Sequence, residues 1–196
     1  MNVSQRPHPS RSLVSADSFP IPQQVLTVLE EAWGSHQRAR ILVPLDARQH
    51  LDRFLLCLQH LVHHAQGKPL LVLSSVSALP ELTRRWQTTL STDTQLLSEA
   101  FFLCSPLALP LAERTSVCFS TVRALQLQQI QEVDQLAALF EVMVAYDVPA
   151  TLSPVWKRVI ERMAARALIV FCAEPKPEVI QWCDTVIAWE SGQKNR

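Results

Sequence analysis

Seven apolar runs of strand length recur along this chain, with helical segments between them, and that alternation limits the fold more than any other feature. The runs are ARILVP (39–44), PLLVLSS (69–75), EAFFLCS (99–105), SVCFST (116–121), FEVMVAY (140–146), ALIVFCA (167–173) and TVIAW (185–189). Several are nearly continuous in Val, Ile, Leu and Phe, as strands covered on both faces should be. The intervening segments carry apolar residues at helical spacing. Residues 48–65 place Leu51, Phe54, Leu55, Leu58, Leu61 and Val62 on one stripe, and residues 78–90 place Leu79, Leu82 and Trp86. Residues 122–139 and 154–166 repeat the pattern through Leu125, Ile130, Val133 and Leu136, and through Val155, Val159, Ile160 and Met163. A further helix is expected over 21–33, closed by Gly34. Strands alternating with helices predict a doubly wound α/β fold: a mainly parallel sheet of about six or seven strands with helices on both faces.

The chain of 196 residues is long enough for one such domain. We expect a flexible arm over residues 1–20, a single domain over 21–190 and a frayed tail over 191–196. Charged residues are only 18%, and 18 basic residues balance 18 acidic ones. Such a chain lacks the basic surplus usual in a free-standing nucleic-acid binder. Sparse charge also resists association poorly, which favours a protein partner. No apolar run is long enough for a membrane helix, and the polar start has no apolar signal core. The five cysteines, an odd number set mostly in apolar segments, read as reduced core residues. These features point to a cytoplasmic protein with no membrane contact.

Glycine is scarce: three in the chain, Gly34, Gly67 and Gly192. Gly34 and Gly67 follow helices and precede strands, where a helix-ending glycine is expected. None opens a helix after a strand. A phosphate-binding loop needs glycine there so that its N–H groups can approach the phosphate oxygens.

The strand ends, taken in order, resemble the first RecA-like motor domain of superfamily 2 helicases, especially the type I restriction motor and related DNA translocases. PIPQQVLTVLEEAW is similar to the helix that opens that domain, with Gln23 and Gln24 in place of its glutamine pair. ARILVP resembles the strand leading into Walker A, including Pro44. PLLVLSSVSALPELTRRW resembles motif Ia, and SVCFSTVRALQ resembles motif Ib. FEVMVAYDVPATLSPVWKRVIERM resembles the Walker B strand, its DEAH box and the helix that follows. LIVFCAEP resembles the strand into motif III. Together these motifs span about residues 20 to 182.

The departures fall on the catalytic positions. Where the family has Thr-Gly-Ser-Gly-Lys-Thr, this chain has Leu45, Asp46, Ala47, Arg48, Gln49 and His50. Both glycines, the lysine and the magnesium-binding hydroxyl are missing, and Asp46 would repel a triphosphate. The DEAH place holds Tyr146, Asp147, Val148 and Pro149, and a tyrosine cannot serve Mg²⁺ as a carboxylate. Motif III becomes Cys172, Ala173, Glu174 and Pro175. Phosphoryl transfer depends on positioning and charge stabilisation by such groups, so ATP hydrolysis is not expected. No cofactor or metal is expected either.

Other chemistry is weakly signalled. Cys57, His60 and His64 share one helical face with zinc-compatible donors, but a single helix seldom supplies a whole site. Cys172 at a strand end reads equally as a buried core thiol. In the resembled family the motif Ia and Ib regions hold the phosphate backbone of the tracked strand. The matching places here are Arg84, Arg85, Thr121 and Arg123, whose bland reading is a solvated helix face. The reading that follows is a non-catalytic helicase-like domain acting as an adaptor or protein-interaction subunit. Its expected contact surface is the carboxyl edge of the sheet: Leu45, Asp46, Arg48, Gln49, His50, Tyr146, Asp147, Pro149 and Glu174, a vacated cleft with Val148 also lining it. The alternatives are ATP-independent nucleic-acid binding through the motif Ia and Ib surface, and an unrelated α/β enzyme with a small-molecule site at the same edge.

Overall fold

A computed structural model of the chain describes residues 27–28, 30–31, 38–45, 50–64, 69–89, 94–96, 116–126, 138–148, 153–163 and 167–187. These form a seven-stranded sheet with helices on both faces. In chain order the elements are β1 (Ala39–Pro44), α1 (His50–His64), β2 (Leu70–Ser74), α2 (Leu79–Thr89), β3 (Thr94–Leu96) and β4 (Val117–Thr121). Then come α3 (Val122–Gln126), β5 (Val142–Tyr146), α4 (Pro154–Met163), β6 (Ala167–Cys172), α5 (Pro177–Trp182) and β7 (Thr185–Val186). Residues 27–28 and 30–31 are helical, inside the helix expected before β1.

The strand order is β3-β4-β2-β5-β6-β1-β7, and every pairing is parallel. The first strand therefore lies between the last two, with Ala39 to Pro44 paired in register to Ala167 to Cys172. Parallel neighbours force crossovers, and alternate residues of each strand feed opposite faces. Ile41, Val43, Val72, Phe119, Val144, Tyr146, Ile169 and Phe171 pack in one core with Phe54, Leu58 and Leu61 of α1 and Leu82 and Trp86 of α2. Leu42, Leu71, Leu73, Cys118, Met143, Ala145, Val170 and Cys172 pack in the other with α3, α4 and Val179 of α5. This is the doubly wound α/β architecture that the alternation of runs predicts.

Helix starts follow local chemistry. Ser153 Oγ accepts the Trp156 N–H at 3.3 Å ahead of Pro154, a cap followed by a proline that needs no N–H partner. Thr121 Oγ1 accepts the Ala124 N–H at 3.1 Å and turns β4 directly into α3. Pro177 opens α5, where Lys176 O receives the N–H groups of Val179 and Ile180.

Two elements depart from the sequence expectation. β3 forms at Thr94–Leu96, where no strand is expected, and the expected strand 99–105 lies outside the described residues. The six-residue helix α5 also stands in a stretch for which periodicity predicts nothing. Of the expected helix 122–139, the described parts are Val122–Gln126 and residues 138–139.

Candidate functional site

The carboxyl ends of the strands form the edge where open α/β sheets take their ligands. The junctions resembling Walker A, Walker B and motif III are the ends of β1, β5 and β6, and the strand order sets β6 between the other two. Pro44 pairs with Cys172, Tyr146 pairs with Phe171, and the Leu45 N–H reaches Cys172 O at 3.0 Å. The sheet thus gathers the three departures from the motor family at one place. Asp46, Arg48, Gln49 and Pro149 lie outside the described residues, as does the side chain of His50, whose backbone opens α1.

The expectation that Leu45, Tyr146 and Val148 line an open cleft is not met. They are 4%, 3% and 6% exposed. Val148 packs into the core of the α3–α5 face, and Leu45 and Tyr146 into that of the α1–α2 face, where α1 supplies aromatic packing. The Phe54 ring lies 4.3 Å from that of Tyr146, tilted by 38°, and meets Phe171 edge-on at 5.0 Å. Rings of this size bury large apolar areas and prefer such tilted arrangements. Burial pushes the Tyr146 hydroxyl well above its usual pKa, and the carboxylates of Asp147 and Asp52 push it further. Tyr146 is therefore a neutral core side chain at neutral pH.

The charged side chains exposed at this edge among the described residues are acidic. Asp147 and Glu174 are both exposed. Burial raises the Cys172 thiol above its usual range; a backbone hydrogen bond from Glu174 opposes the rise, and the Asp147 and Glu174 carboxylates add to it. The thiol donates toward Val148 O at 3.7 Å and is not poised as a nucleophile. Asp147 has φ of 55°, the left-handed region that Asp tolerates better than most residues. Its Oδ2 accepts the Ser75 hydroxyl at 2.7 Å, which ties the end of β5 to the turn after β2. Ser75 Oγ also accepts the Ala78 N–H at 3.2 Å and contacts Ser77 Oγ at 3.1 Å. These polar groups are spent on shaping the turn.

The candidate nucleic-acid residues divide. Arg84 makes a two-point contact with Glu81, Nε to Oε2 at 2.8 Å and Nη2 to Oε1 at 2.6 Å. Arg85 shares Glu81 Oε1 at 3.1 Å and lies 3.7 Å from Asp52 of α1. Hydrogen bonds from Arg84 hold the Glu81 carboxyl below its usual range, and those from Arg85 help. Thr121 is buried, its hydroxyl committed to capping α3, so it does not face solvent as a phosphate ligand would. Arg123 is exposed. On α4, Lys157 Nζ donates to Glu178 Oε1 of α5 at 2.8 Å.

Neither remaining sequence candidate assembles. Cys57 is buried, and burial drives its thiol far above the usual range against the weaker pull of Arg53. His60 is half-buried and His63 exposed, and no three His, Cys, Asp or Glu side chains converge among the described residues. Cys57, Cys118, Cys172 and Cys183 are free thiols, all buried. Sequence reasoning missed Phe54 as part of the site. Its apolar spacing marked it as core, and nothing in the sequence says that its ring reaches a strand end.

No helix among the described residues is long and apolar enough to cross a membrane. No family model matches the sequence, and no curated protein matches it. Among solved structures 41 chains match. One is the UvsW helicase from bacteriophage T4, with a TM-score of 0.55 and 12% identity over 77% of this chain and 54% of that one. The chain therefore spans about half the length of that helicase. Another is the C-terminal domain of a possible DNA helicase from Lactobacillus plantarum WCFS1, with a TM-score of 0.46 and 10% identity over 83% of this chain and 92% of that one. At such identity the likeness to UvsW is one of fold: the chain has a RecA-like α/β fold of the kind seen in that helicase.

Proposed function

We propose that the chain is a helicase-like domain of the superfamily 2 kind that does not hydrolyse ATP. It serves as a protein-interaction or adaptor subunit of a larger assembly, and the helicase likeness makes a nucleic-acid-processing assembly its natural context. The observation that carries this reading is the Phe54–Tyr146 ring contact at 4.3 Å, at a strand end where the motor family needs a metal-binding carboxylate. A hydrophobic contact there takes the place of that carboxylate, and the negative charges of Asp147, Glu174 and Asp52 near it disfavour a bare triphosphate. The arrangement supports a fold kept for its surface.

Two measurements test the reading. Calorimetry with millimolar Mg-ATP is expected to give no heat of binding; saturable binding would contradict it. Purification under mild conditions is expected to retain a stoichiometric protein partner. A lone monomer with no copurifying protein would overturn the adaptor role.

A second reading, ATP-independent nucleic-acid binding, rests on Arg84, Arg85 and Arg123, all exposed. The engagement of Arg84 and Arg85 with Glu81 and the burial of Thr121 weigh against it. A salt-sensitive shift of single-stranded DNA, lost on substitution of the three arginines, would favour it over the adaptor. The small-molecule enzyme reading finds less support. A cavity of about 240 Å³ among the described residues is lined by residues of α3 and α4 and by no described strand end.

A further inference from the structure

We draw no further inference here: the strongest candidate, the open groove between α3 and α4 with its apolar lining of Leu125, Val155 and Val159, carries nothing, because residues 127–137 beside it lie outside the described residues and nothing in the structure shows what covers it.

Discussion

The two faces of the sheet are packed from different materials. The α1–α2 face is built around rings: Phe54 contacts Tyr146 and Phe171, and Trp86 meets Phe119 edge-on at 6.0 Å. The α3–α5 face has Phe140 and Trp156, but also Met143, Met163, Cys118, Cys172 and Cys183 among its aliphatic side chains. Rings fix one another's orientation, whereas methionine adapts to irregular space. The rigid filling lies under the edge where a nucleotide would enter, and the open groove lies on the more adaptable face. The difference teaches that a strand end at the carboxyl edge can be filled from a neighbouring helix: rings close one face, and softer side chains fill the other.

That contrast can be broken in several ways. Phe54→Ala should have the largest effect, about 3–5 kcal/mol of stability by urea unfolding, because it removes the ring that joins β5, β6 and α1. Tyr146→Asp should approach it, roughly 3–5 kcal/mol, since an unpaired carboxylate would be buried beside Asp52 and Asp147. It should not create ATPase activity in a phosphate-release assay. Met163→Leu on the other face should cost less than about 1.5 kcal/mol, as volume-conserving changes do. A cost equal to that of Phe54→Ala would erase the distinction between the faces.

Alkaline titration is a gentler probe. Cys57 and Tyr146 on one face and Cys183 on the other are held protonated by burial, Cys183 being pushed up to about 11. Below the ordinary pKa of each group both states keep the proton, so the group leaves stability unchanged. Above it the unfolded chain releases the proton and the native chain does not, so stability falls with rising pH. Unfolding midpoints should be level to about pH 9, the ordinary thiol value, and decline from there through 11, where Cys183 ionises in the native chain. Cys57→Ala should make the decline shallower throughout, because the buried Cys57 thiol keeps its proton beyond the point where Cys183 ionises. The smallest effect belongs to Glu81→Gln. Its exposed pairs with Arg84 and Arg85 are screened by solvent, so the urea midpoint should stay put. An accompanying gain in single-stranded DNA binding would show that Glu81 had been masking two phosphate-binding arginines.

Much of this fold is written in its periodicities. The runs at 39–44, 69–75, 116–121, 140–146 and 167–173 are long enough, and apolar enough, to be strands whatever surrounds them, and each contains one. β3 is not legible in that way: Thr94, Gln95 and Leu96 hold one apolar residue, and the strand exists because β4 offers an edge to pair with. α5 is too short for a stripe and depends on Pro177 and the Lys176 carbonyl. The candidate site was legible as a set of strand ends, because position along the chain fixes those. Its character was not. Burial of Leu45 and Tyr146 depends on a ring from another element, and the partner of Lys157 on a helix that spacing did not predict.

The strand order has a consequence for biosynthesis. β1 pairs only with β6 and β7 among the described strands, Ala39 lying against Ala167. At a translation rate of roughly 5–20 residues per second, β1 waits on the order of ten seconds before its first neighbour has been made. Through that interval Ile41, Leu42 and Val43, fully covered in the finished molecule, have no strand to shelter them. A nascent chain halted before Ala167 would carry an orphan apolar strand, so ribosome-bound intermediates of this protein should engage chaperones until β6 emerges.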